Sequence, residues 1–137
     1  MPPFDFAQGI AASPGWSTGS GNTYPFTVKT GGATPSLGTG PSAGVGGSGA
    51  YVFAEMSGKN NGDIFTLTYD GSACTSTGGI SNVTFHYHMY GSSTGELRVT
   101  DAAGQVVWTR SGERGNSWYM QPRPTYTRGH SRSSTPA

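Results

Sequence analysis

Between Val83 and Gly91 the chain alternates bulky apolar with polar side chains. Val83, Phe85, Tyr87 and Met89 fall on one side, and Thr84, His86, His88 and Tyr90 on the other. A period of two residues gathers each set onto one face of a β-strand, which a helix cannot do. Two further strand-like stretches follow. Glu96–Thr100 and Gln105–Arg110 flank Asp101, Ala102, Ala103 and Gly104, a spacing that predicts a hairpin with Leu97 and Val99 inward and Arg98 outward. Trp108 sits inside the second of these strands and is read as core.

The rest of the chain follows the same grammar. Charged residues make up 11% of the 137, and there are 23 glycines and nine prolines. Average domains carry ~25% charged residues. Short strands joined by many turns suit this composition, so the expected class is all-β, in one domain. Strands are predicted at Phe4–Phe6, Tyr24–Thr30, Tyr51–Met56 and Ile64–Tyr69, with a last one beginning at Trp118 and Tyr119. Pro25 suits an edge. Residues 31–50 are rich in Gly, Pro, Ser and Thr and read as a flexible crossover loop. The folded domain is expected over 1–119. Residues 120–137, with Arg123, Arg128 and Arg132 and no acid, read as a disordered tail.

Charge and cysteine usage narrow the function classes. The net charge is +1, which argues against nucleic acid as a partner. Cys74 is the single cysteine, so no intrachain disulfide and no cysteine zinc cluster can form within this sequence. No stretch approaches the ~20 apolar residues of a membrane span, so no membrane insertion is expected. The first residues lack the basic and apolar segments of a signal peptide.

His86 and His88 share a strand face at the spacing of some zinc sites, but a hydrolytic zinc needs a third protein ligand. His130, in the tail, is a poor one, and an ordinary pair on a sheet face is the simpler reading. No nucleophile elbow and no zinc-protease helix motif occurs, so an enzyme is not expected. Asn82, Val83 and Thr84 form an N-glycosylation sequon on the face opposite Val83 and Phe85, which makes Asn82 the glycan candidate. Aromatic side chains near strand ends, Tyr90, Trp118 and Tyr119, are the binding candidates.

Four segments, in order, resemble one family. Gly32–Ser36 with Gly38–Ser42, Gly49–Ser57, Phe85–Gly91, and the series Gly95–Val99, Trp108 and Gly112–Trp118 are similar to the successive motifs of the MAM domain, over roughly Phe4 to Tyr119. The resemblance implies an antiparallel jelly-roll β-sandwich. It also implies a non-catalytic adhesion or protein-binding module in the extracellular part of a larger membrane or secreted protein. A protein partner or self-association is then expected. A carbohydrate-binding jelly roll is the alternative, and exposed rings aligned on one face would favour it.

Three departures qualify the resemblance. Animal members carry four cysteines. Some members hold calcium through acidic groups, and only Asp5 and Glu55 match here, too few for the six to eight oxygens calcium takes. The family's closing strands do not follow Trp118, which implies a sandwich incomplete at its C-terminal end, with an open sheet edge.

Overall fold

The computed structural model describes residues 4–18, 24–71, 80 and 83–121. Ten strands lie in this region: β1 (Trp16–Ser17), β2 (Tyr24–Pro25), β3 (Thr27–Lys29), β4 (Tyr51–Phe53), β5 (Phe65–Thr66), β6 (Thr68–Tyr69), β7 (Phe85–His88), β8 (Glu96–Thr100), β9 (Val106–Ser111) and β10 (Trp118–Gln121). A short 3₁₀ turn lies at Val45–Gly47. The fold is all-β. Four of its five strand pairs are antiparallel (β1–β6, β3–β4, β7–β10 and β8–β9), and β2–β5 is parallel.

The predicted hairpin is present. Asp101 Oδ1 accepts the amides of Ala103 and Gln105, both at 2.9 Å, and Gly104 turns the chain at φ 85°. Leu97 and Val99 point inward and Arg98 outward, as their alternation requires. Trp108 is 6% exposed. Phe85 and Tyr87 of β7 meet its ring edge-on at 5.0 and 5.1 Å, so the hairpin packs one face of β7.

Two predicted strands are each broken in two. Tyr24–Thr30 divides at Phe26: β2 pairs with β5, whereas β3 pairs with β4. Ile64–Tyr69 divides at Leu67: β5 pairs with β2, and β6 with β1. Each extended segment changes sheets midway, which is how corners are made between packed sheets. Phe4–Phe6 is not a strand. Asp5 Oδ1 takes the Ala7 amide at 3.0 Å, Phe6 adopts φ 58° and its carbonyl accepts Gly9 N, so a turn stands there. Side chains of this turn still build a core: Phe4 and Phe6 meet Trp16 edge-on, and Trp16 stacks on Tyr69 at 5.1 Å. At the other end, β10 runs to Gln121, two residues past the expected boundary at Tyr119, because its four residues pair in register with β7.

The loop at 31–50 is not slack. Thr34 Oγ1 donates to Thr39 O (2.9 Å), and Thr39 Oγ1 (2.7 Å) and the Gly40 amide (2.9 Å) both donate to Tyr90 O. Tyr51 Oη donates to Gly32 O at 2.6 Å. Pro41 and Gly44 are buried. The loop thus covers the second face of β7 near its C-terminal end.

Candidate binding cleft

β7 and β10 lie antiparallel, with Trp118 opposite His88, Tyr119 opposite Tyr87 and Met120 opposite His86. Directly opposed residues share a face. Tyr119 and Tyr87 therefore look toward the Trp108 core, and Trp118 and His88 toward the 31–50 loop. There the Trp118 indole Nε1 donates to Ala43 O at 2.9 Å. Its ring meets Tyr51 edge-on at 5.8 Å and His88 at 5.3 Å.

The loop does not close completely on this face. A half-open cleft of about 160 Å³ remains, walled by Pro41, Ala43, Gly44 and Gly47 on one side and by His88, Asn116 and Trp118 on the other. Ser42 and Ser117 stand at it as well. Glycine at position 44 is a requirement of space: a Cβ there would run into the carbonyl oxygens of Ser48 and Gly49. The loop carrying Asn116 is held by Arg114 N on Met89 O (2.6 Å) and by Gly112 N on Gly95 O (2.9 Å).

Among the described residues lining the cleft, His88 is the titratable group. Its Nε2 lies 3.1 Å from Asn116 Oδ1, and its buried Nδ1 has no hydrogen-bond partner among the described residues. Burial pulls its pKa below the ordinary histidine value, against a smaller opposing effect of the Asn116 bond. It is therefore neutral near pH 7. With Oδ1 accepting, the proton sits on Nε2, which leaves Nδ1 a bare acceptor.

The three binding candidates do not form one patch. Tyr90 and Trp118 both flank His88. Trp118 is half-buried and bonded, so it is a cleft wall and not an exposed platform. Tyr119, 40% exposed, lies on the other face, against Tyr87 at 5.7 Å, with its hydroxyl on Arg114 O. The polar face of β7 also divides along its length. Thr84 and His86 are exposed as expected, but His88 and Tyr90 are half-buried, because the loop reaches only that far.

The calcium candidates do not fit a calcium site. Asp5 serves its turn, and Glu55 is occupied by the Ser36 hydroxyl (3.1 Å) and the Ser57 amide (3.0 Å). These bonds, chiefly those from Ser57, lower the Glu55 pKa. No three His, Cys, Asp or Glu side chains converge on a metal position among the described residues, whereas calcium wants several carboxylates. Asn82, Cys74 and His130 lie outside the described residues. No helix among the described residues is long and apolar enough to cross a membrane. Sequence reasoning missed Asn116 and the 41–47 wall, and no motif of catalysis or ligation marks either.

The described residues thus form an all-β module in which the β8–β9 hairpin and the 31–50 loop cover opposite faces of β7. The family model of the MAM domain, meprin/A5/mu, matches residues 5–125, and this chain belongs to that family. The match begins one residue after the expected start and ends six residues beyond the expected Tyr119. No solved structure matches the chain. MAM domains are jelly-roll β-sandwiches that act as non-catalytic adhesion or protein-binding modules in extracellular regions of membrane or secreted proteins, and the all-β organisation here agrees with that fold.

Proposed function

We propose that this chain works as a non-catalytic extracellular adhesion module that binds a protein partner or a second copy of itself. Family membership over most of the chain carries the reading. The aromatic residues support it over the alternative of a broad carbohydrate-binding platform. Trp108 is buried and Trp118 half-buried, so they do not line up as an exposed row of rings. The 31–50 loop adds to it. Leu37 is 98% exposed at a tip braced by Thr34 and Thr39 on one side and by Ser36 on Glu55 on the other. An apolar side chain carried on a braced loop gives an association contact at a reduced cost of loop ordering. Attachment to a larger membrane or secreted protein, and glycosylation at Asn82, belong to the same proposal.

Beads coated with the purified chain provide the test, read as clumping and as capture on cell surfaces, with sedimentation velocity run in parallel. Self-association or surface capture that weakens in Leu37→Ser, with an unchanged melting temperature, is the expected result. Beads that neither clump nor adhere would sink the adhesion reading. Adhesion indifferent to Leu37→Ser would move the contact off this loop.

A further inference from the structure

The cleft beside His88 is rimmed by exposed polar side chains. Ser42 and Ser117, both exposed, place their hydroxyls at its rim. Asn116 uses its Oδ1 on His88, which leaves its amide nitrogen free to donate. One wall is the Trp118 indole. Among the described residues, none at the cleft carries a formal charge: His88 is held neutral by burial, and Glu113 and Arg114 of the neighbouring loop are not among its walls. An ion entering it would lose water without meeting a counter-charge. The volume of about 160 Å³ is well below the ~300–1,000 Å³ of sites for larger small molecules. The space therefore suits one small neutral ring.

We infer that the cleft between Pro41–Gly47 and His88, Asn116 and Trp118 is a binding site for a single neutral sugar ring. An apolar ring face would pack on Trp118, while hydroxyl groups at the rim take the Asn116 amide and the Ser42 and Ser117 hydroxyls. This site is separate from the adhesive contact at Leu37 and stands or falls without it. It is also a single subsite, unlike an extended aromatic platform, so affinity for one ring is weak and a repeating or multivalent glycan would bind by avidity.

Nitrogen-15-labelled full-length chain, titrated with glucose, galactose, mannose and fucose, gives the test through the Trp118 indole and Asn116 side-chain amide signals. At least one neutral sugar shifts both signals, saturating in the millimolar range, and Asn116→Ala weakens that sugar about fivefold, the loss of one hydrogen bond. Asn116 is exposed, so the variant keeps its fold, and the unchanged dispersion of its spectrum checks this. Glucuronic acid binds more weakly than glucose, because its carboxylate meets no cation. Two results would overturn the assignment. One is the absence of any shift at Trp118 with all four sugars. The other is a shift with N-methylacetamide but with none of them, which would make the cleft a receptor for a peptide group.

Discussion

The hairpin of β8 and β9 and the loop at 31–50 stand on opposite sides of β7, and they are ordered by opposite means. The hairpin is a paired ladder: apart from one register shift between Val99 and Thr100, its strands pair along their length, and it delivers one large side chain, Trp108, to the core. The loop has almost no regular structure and little bulk. Its order comes from backbone and hydroxyl groups placed at single points, such as Thr39 and Gly40 on Tyr90 O and Ala43 O under the Trp118 indole. A hairpin stabilised by side-chain burial tolerates changes to its turn. A loop whose close approach depends on the absence of side chains does not.

Glycine exchanges should break that contrast most sharply. Gly44 has φ −65°, which any residue adopts, so only space requires it to be glycine. Gly44→Ala drives a methyl group into the Ser48 and Gly49 carbonyls, neither of which is a flexible side-chain end. It is expected to cost about 3 kcal/mol, the upper range for overpacking. Gly104 in the hairpin turn is the reverse case, with φ 85° and nothing near its missing Cβ. Gly104→Ala costs only the left-handed torsion, about 1 kcal/mol. Urea denaturation of both variants measures the difference, and equal losses would remove the distinction between the two sides of β7.

Trp118→Phe sharpens the comparison on the loop side. Ring contacts with Tyr51 and His88 are largely kept, while the hydrogen bond to Ala43 O is lost. The expected cost is about 1 kcal/mol. Slower hydrogen exchange at wild-type Gly40 and Thr34 than in the variant would show that the indole pins the loop. Unchanged exchange would show that Thr39 and Gly40 hold it unaided.

The same contrast explains what the sequence made legible. Alternation at 83–90 and 96–110 exposes the hairpin, the facing of Leu97, Val99 and Arg98, and the burial of Trp108, because these depend on side-chain period alone. The loop's order was hidden, since Gly, Pro and Thr spell flexibility when read locally, and their bonding partner, Tyr90 O, is about fifty residues away in sequence. Phe26 and Leu67 look like ordinary strand interiors, so the changes of sheet there leave no local mark. The cleft was invisible for a related reason. His88 and Trp118 meet only because β10 returns beside β7, and Asn116 is placed by the loop that precedes β10. The family motifs marked Trp118 and the Gly-Pro-Ser loop separately, without indicating that they touch.

His88 gives the loop side a pH dependence nearer neutrality than that of Glu96 in the hairpin. Its folded pKa lies below the ordinary value of 6.5. As pH falls through 6.5, the unfolded chain takes up a proton before the folded one, so stability drops, until the folded pKa is passed. The contribution is fully present above 6.5. Glu55 and Glu96 also have lowered pKa values, from 4.5, and their contributions fade only in more acidic solution. Urea midpoints for wild type and His88→Gln should therefore converge as pH falls from 7.5 toward 5.5. A constant gap would mean that His88 titrates alike in both states.

The smallest effect is expected at the most conspicuous ion pair. On the outer face of the hairpin, Glu96 receives both Nε and Nη2 of Arg98, and this contact is the chief cause of its lowered pKa. The pair is nevertheless in solvent, where water and salt screen the attraction and both side chains give up rotamer freedom to meet. Glu96→Gln keeps the shape and a hydrogen-bond acceptor, and should leave the melting temperature unchanged at physiological ionic strength. A clear loss that disappears at 1 M salt would show that the hairpin, too, depends on polar contacts at single points, and the division between the two sides of β7 would then be one of degree.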